Sequence, residues 1–223
     1  MYEVLKRLFD FTFSLISILI LLPLLIPVVI LLKFTSEGEI FYLQERIGLK
    51  NNKFYIYKFA TMLKNSAEMK GGYITVKNDP RLTFLGGFLR KSKINELPQL
   101  FNILFGHMSI VGPRPVMQIS FESYPIEIRN KIYNVKPGLT GIGSIIFRDE
   151  EDLITEVRDK GGDIESFYKN SIYPYKGELE IWYQENRTFY LDLRLIFITA
   201  WVIIFPKSKL YEKWFKSLPT RNF

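Results

Sequence analysis

Hydrophobic and polar positions divide the chain into stretches of different period. An uncharged apolar run extends from Phe11 to Leu32, after a short start that carries Lys6 and Arg7. The run is long enough for a transmembrane helix, which needs about 20 apolar residues. Pro23 and Pro27 interrupt its middle, leaving halves of roughly a dozen residues that are each too short to span alone. Lys6 and Arg7 precede the run, and Lys33, Arg46, Lys50 and Lys53 follow it. A positive-inside bias draws both flanks to the cytoplasmic side, which a helix–break–helix hairpin allows and a straight span does not. Pattern alone leaves both topologies open. No small-residue cleavage site follows, so the segment is expected to stay on the protein.

Beyond Thr35 the period changes repeatedly. Ile40–Leu43 and Phe54–Phe59 read as short extended segments, and 65–77 reads as helix and loop. Asn78–Leu82 is a turn that enters an amphipathic segment, Phe84–Leu89, ending at Arg90. Leu97, Leu100, Phe101 and Leu104 recur at helical spacing, with Asn95 as N-cap, Pro98 in the first turn and Gly106 as the stop. Val116–Tyr133 predicts a helix of mixed charge, and Lys136–Gly141 a turn cluster. Asp149–Asp152 predicts a helix start whose acids complement the dipole, rather than a metal site. A Gly-Gly turn lies between Asp159 and Asp163. Tyr168–Tyr183 is aromatic-rich and suits a headgroup interface. Leu191–Phe205 carries its charges early and ends at Pro206. It reads as an amphipathic interfacial helix, with Trp201, Lys207 and Lys209 toward headgroups, or as a buried core helix. The fold class is α+β, mostly helical: a membrane element over 1–34, then one small globular domain over 35–223 with interfacial amphipathic helices.

Charge and composition narrow the partners. A net charge of +7 across 223 residues points to an anionic partner. No RNA-recognition, helix-turn-helix or zinc-finger pattern occurs, and the aromatics sit beside aliphatic runs, so membrane lipid or phosphate is expected and nucleic acid is not. The absence of cysteine excludes disulfides, thiolate metal sites and a cysteine nucleophile, and a single histidine excludes His-based zinc clusters.

The candidate chemistry gathers between Arg90 and Pro115. Arg90, Lys91 and Lys93 lead into Asn95, where a helix N-terminus with free N–H groups suits a phosphate. Gly112-Pro113-Arg114-Pro115 then fixes the backbone around one guanidinium, whose planar fork matches phosphate oxygens. The same residues also read as an ordinary capped surface helix followed by a proline-rich loop. Arg46 and Lys58 read as snorkelling interfacial cations or as substrate contacts.

The whole string resembles the signature of the bacterial sugar transferases, the monotopic phosphoglycosyl transferases that make polyprenyl-linked phosphosugars. Glu96-Leu97-Pro98-Gln99-Leu100, Asn102, Met108-Ser109 and Gly112-Pro113-Arg114-Pro115 match it. So do Lys6, Arg7 and Asp10 ahead of the apolar run, Gln44, Arg46 and Gly48, then Lys58, Phe59, Thr61 and Met62. Pro137, Gly138, Thr140, Gly141 and Arg148 follow, with Tyr183, Asp192 and Thr199 near the end. The resemblance covers about Lys6 to Thr199. It implies a re-entrant hairpin broken at Pro23, placed on the cytoplasmic face of a bacterial inner membrane. It implies a reaction in which a carboxylate attacks the β-phosphorus of a UDP-sugar, UMP leaves, and polyprenyl phosphate collects the phosphosugar with Mg²⁺ assisting. Lys58, Arg90, Arg114 and Arg148 are the expected phosphate-binding residues, Asn95 and Glu96 the catalytic positions, and Glu96 the metal ligand. A homodimer is compatible with the resemblance.

Two departures fall inside the signature. Asn95 stands where the family has its nucleophilic Asp, and His107 stands where it has another Asp; Ala60 also lacks an expected basic residue. An amide keeps the shape of Asp but is a poor nucleophile and a weak Mg²⁺ ligand. Three alternatives follow: Glu96 serves as nucleophile, the phosphosugar passes directly to the acceptor, or the chain is a catalytically impaired paralogue acting as a membrane-bound scaffold or substrate-binding protein.

Overall fold

The computed structural model describes residues 1–35, 37–67, 69, 79–215 and 217–223. The segment expected to be helix and loop over 65–77, and Asn78 of the following turn, lie largely outside the described residues. In chain order the elements are α1 (Tyr2–Thr35), β1 (Phe41–Ile47), β2 (Lys53–Phe59), α2 (Gly86–Lys91), α3 (Gln99–Leu104) and β3 (Ser109–Val111). They continue with α4 (Gln118–Glu122), α5 (Ile126–Ile132), β4 (Gly138–Thr140), α6 (Ile142–Ile146), α7 (Glu150–Asp159), α8 (Ile164–Phe167), α9 (Tyr173–Asn186), α10 (Phe189–Ile204) and α11 (Leu210–Trp214). Helix dominates, and the strands pair in two small sheets, β1 with β2 and β3 with β4.

These elements gather into two compact units. The first comprises 1–9, 46–54 and 106–223, and the second 10–45 and 55–105. This grouping cuts across the boundary drawn at residue 34 from the sequence.

In the second unit a stripe on α1 makes the core. Leu25, Val28 and Leu32, three to four residues apart, bury against Phe59 and Leu89, with Ile40, Leu85, Ile94 and Leu97 partly buried around them. The rest of α1 exposes large apolar side chains, including Leu19, Ile20, Ile26 and Ile30. Little of its apolar surface is buried in the protein, and by length and composition α1 can cross a membrane. Helix continues through Pro23 and Pro27, where the sequence predicts a break. Each proline removes one donor while the neighbouring turns keep their own bonds.

In the first unit Ile47, Tyr124, Ile132 and Tyr133 form one core cluster. The single helix expected over Val116–Tyr133 is two helices, α4 and α5, parted at Pro125; proline has no N–H with which to continue the first. The aromatic stretch of α9 turns inward, with Tyr175, Trp182 and Tyr183 buried. It is a core helix and not the headgroup surface its composition suggested. α10 has two faces: Leu191, Leu195, Ile198 and Val202 are buried, as a core helix requires, while Tyr190, Phe197, Ile203 and Ile204 are exposed. Its buried Asp192 accepts from the Lys6 ammonium at 2.6 Å, from Tyr183 at 2.8 Å and from Tyr2 at 3.0 Å.

Candidate functional site

The candidate residues fall in both units: Lys58, Arg90, Asn95 and Glu96 in the second, Arg114 and Arg148 in the first. Arg90 occupies the last turn of α2. The chain then reverses through Lys93, whose φ of 61° is left-handed, into a 3₁₀ turn over Ile94–Glu96. Asn95 is therefore not the N-cap that its residue type predicts. Pro98 precedes α3 and no side chain caps it. Successive i→i+3 bonds explain the difference: Glu96 N–H donates to Lys93, Leu97 N–H to Ile94, Leu100 N–H to Leu97 and Phe101 N–H to Pro98. Those donors are spent locally, so a capping oxygen has no partner to find. The short helix expected to start at Asn95, with its N-terminus toward a phosphate, starts instead at Gln99 and is six residues long.

The 3₁₀ turn does bring the two catalytic positions into a defined setting. Asn95 is 8% exposed, and its Oδ1 is buried with no hydrogen-bond partner among the described residues. Glu96 is half-buried. The flanking Ile94 and Leu97 are partly buried against the cluster that Leu25, Val28 and Leu32 of α1 form with Phe59 and Leu89, so the polar turn borders the core to which the apolar helix contributes.

Asn102, which the sequence left without a role, ties the turn to the strand that carries Lys58. It is fully buried; its Oδ1 accepts from Tyr57 N–H at 2.9 Å and its Nδ2 donates to the Tyr55 carbonyl at 2.8 Å. One amide thus acts as a short strand partner for β2 and fixes α3 beside it. Lys58 follows immediately in β2 and is half-buried.

In the first unit two turns that are far apart in sequence form one ladder. β3 and β4 pair in parallel, Ser109 opposite Gly138 and Val111 opposite Thr140. Gly112 N–H donates to Thr140 and Gly138 N–H to Pro113. A Cβ on Gly112 would lie 2.4 Å from the Lys136 carbonyl oxygen, and one on Gly138 2.1 Å from Gly112 N, so only glycine permits this approach. Pro113 and Pro115 are buried and Arg114 between them is exposed. The Arg114 carbonyl accepts from the buried Tyr133 hydroxyl at 2.7 Å, and its N–H is accepted by the Glu180 carboxyl of α9. Arg148 is exposed in the short 3₁₀ turn Phe147–Asp149, and its Nη1 donates to the Val202 carbonyl at 2.9 Å. His107 is also exposed.

Glu180 is a residue the sequence reading passed over. It is 4% exposed, and burial pushes its carboxyl up to about 8, against the opposing pull of Lys176 and of the Arg114 and Gly143 N–H groups. Lys176, one turn earlier, is held down by burial while Glu150 pulls the other way at 2.7 Å. Among the described residues no group of three or more His, Asp or Glu side chains has metal-binding spacing.

Comparison with known proteins covers nearly all of these features. The family model described as "Bacterial sugar transferase" matches residues 1–206. The undecaprenyl-phosphate galactose phosphotransferase of Salmonella typhimurium is 34% identical over 215 residues, covering 90% of this chain and 40% of that protein. The UDP-glucose:undecaprenyl-phosphate glucose-1-phosphate transferase of Klebsiella pneumoniae is 33% identical over 92% of this chain and 41% of its own length. An exopolysaccharide production protein of Rhizobium leguminosarum is 34% identical over 88% of this chain and 94% of its own length. The chain thus spans about two fifths of the first two relatives and nearly all of the third.

Proposed function

The chain belongs to the bacterial sugar transferase family, and from that premise we propose that it moves a phosphosugar from a UDP-sugar onto a polyprenyl phosphate at the start of a surface glycan. The bond from the β-phosphorus to the bridging oxygen breaks, UMP leaves, and the same phosphorus joins an oxygen of the acceptor phosphate. Relatives are named for undecaprenyl phosphate and for UDP-galactose or UDP-glucose, which supports that pair of substrate classes. The chain acts at the cytoplasmic face of the inner membrane in this account, α1 turning back at Pro23 through a bend that leaves its helix unbroken, with both flanks on one side.

The observation that carries the reading is that Ile94 and Leu97, flanking Asn95 and Glu96, pack against the apolar cluster to which α1 contributes Leu25, Val28 and Leu32. An acceptor with a long apolar tail has its phosphate at the membrane surface, and this packing keeps the polar turn beside the core that the apolar helix shares. Phosphoryl transfer asks mainly for positioning and for cations around the phosphates. Lys58, Arg90, Arg114 and Arg148 bind the donor and acceptor phosphates in this account. Asn95 Oδ1 and the Glu96 carboxylate are hard oxygens on one turn, and the first has no hydrogen-bond partner among the described residues. They would hold a Mg²⁺, Glu96 as its carboxylate ligand and the Asn95 amide as a weak one. When bound, that ion offsets charge on the phosphate oxygens. With an amide at 95, either Glu96 attacks phosphorus or the acceptor phosphate attacks directly.

The test is UMP release in nanodiscs from a panel of UDP-sugars with undecaprenyl phosphate and Mg²⁺. Release by the unmodified chain, abolished in Glu96→Gln and raised in Asn95→Asp, is the expected outcome. Silence from the unmodified chain with activity in Asn95→Asp favours the impaired paralogue, which the Asn95 amide motivates. Silence from both would overturn the transferase reading.

A further inference from the structure

Glu180 is buried, ionisable and unused by the chemistry above. It lies on α9, in the first unit, among apolar and aromatic neighbours of the core. Its carboxyl accepts the backbone N–H groups of Arg114 and Gly143, while Oε2 is buried with no hydrogen-bond partner among the described residues. The fit on the Gly143 side is tight, because a Cβ at that position would stand 2.4 Å from Glu180 Oε1. The other side of the Arg114 peptide is held as well, by the Tyr133 hydroxyl on its carbonyl. Gly143 lies in the first turn of α6, and α6 runs straight into the turn that carries Arg148.

We propose that Glu180 is a positioning residue: its carboxyl, with the Tyr133 hydroxyl opposite, fixes the Arg114 peptide so that the exposed guanidinium is presented to the donor diphosphate, and through Gly143 it sets the segment bearing Arg148. The proposal rests on the transferase reading. A buried carboxyl with one unpaired oxygen is a poor choice for stability, since an apolar residue of similar volume avoids the desolvation cost. What Glu180 does supply is geometry, two backbone donors from separate loops meeting on one side chain. Its raised affinity for a proton adds a second property: the neutral acid puts no negative charge beside a guanidinium meant for phosphate. Charged and titratable groups around it are Lys176 on its own helix, Glu150 paired with that lysine, Tyr124, Tyr133 and Arg114.

The test measures binding, so it does not depend on turnover. Purified full-length protein in nanodiscs is titrated with UDP, and with UMP as the probe lacking the second phosphate. Glu180→Leu is expected to weaken UDP about tenfold and UMP little. Glu180→Gln, which keeps an acceptor for both N–H groups, is expected to recover most of that loss. Gly143→Ala, which pushes the carboxyl aside without removing it, is expected to behave like Glu180→Leu. Arg114→Ala combined with Glu180→Leu is expected to be no weaker than Arg114→Ala alone, because the two act through one contact. Equal loss of UDP and UMP, additive losses in the double variant, or UDP affinity unchanged in folded Glu180→Leu would overturn the positioning role. Failure of Glu180→Leu and Gly143→Ala alike to fold would assign Glu180 to structure alone. An unmodified chain that binds no UDP would remove the transferase reading and this proposal with it, an outcome distinct from unaltered binding in the variants.

Discussion

At the residue scale, ordinary residue types stand in settings that their type does not predict. Asn95 has the residue type of a helix cap but sits inside a 3₁₀ turn with its amide oxygen unpaired. Glu180 has the residue type of a surface acid and is buried, with its carboxyl raised from the ordinary 4.5 to about 8. That shift carries a stability prediction with a definite sign. Between pH 4.5 and 8 the folded chain keeps a proton that the unfolded chain has lost. The contribution from this group is therefore full below pH 4.5 and is lost as pH rises through 8. Glu180→Gln has no such group to ionise. The melting temperature of the Gln variant minus that of the parent should rise from about pH 5 to 8 and then level off, as followed by thermal unfolding in nanodiscs. A difference that is flat or falls over that range would show that the carboxyl is not held neutral by burial. The residues that sequence made legible are those within one continuous string, Arg90 through Pro115. Asn102 lies in that string but its partners are the backbone of β2, 45 and 47 residues away. Glu180 was hidden for a related reason, since its contacts are backbone groups of two distant loops. The available signal was an acid on the inward face of a helix, between Leu179 and Trp182.

At the scale of elements, apolar periodicity located α1, α2, α10 and both strands of the first sheet. It failed where a backbone device outweighed pattern. Pro125 divides the helix expected over Val116–Tyr133, and the left-handed Lys93 with its following 3₁₀ turn delays α3 to Gln99. The β3–β4 ladder is three residues long on each side, too short for alternation to reveal, and parallel pairing joins segments that local sequence cannot connect. For α1 the sequence predicts an interruption, and the helix continues through both prolines. The proposed topology is open to a direct check, because the chain has no cysteine. Single cysteines at Glu3 and Glu39 flank the helix, and membrane-impermeant maleimide in sealed inverted and right-side-out vesicles reports their sides. A re-entrant α1 requires both to label only in inverted vesicles. Labelling from opposite sides would establish a span and remove the hairpin.

At the scale of the whole chain, a polar turn bordering a core that the apolar helix shares and a basic loop held by a parallel ladder belong to a protein whose family is fixed over residues 1–206. The exposed apolar surface of α1 suits membrane association, and the net charge of +7 suits both anionic headgroups and phosphorylated substrates. The claim at the centre is that a phosphosugar ends on a lipid carrier, and the most direct measurement follows the label itself. Membranes containing the protein are given UDP-sugars labelled in the sugar, with and without undecaprenyl phosphate, and the organic phase is counted and chromatographed. The account predicts label in a lipid-linked diphosphate sugar that depends on undecaprenyl phosphate, is raised by Asn95→Asp and is abolished by Glu96→Gln. Label that stays in the aqueous phase for the unmodified chain and for Asn95→Asp alike, across galactose, glucose and N-acetylhexosamine donors, would contradict it.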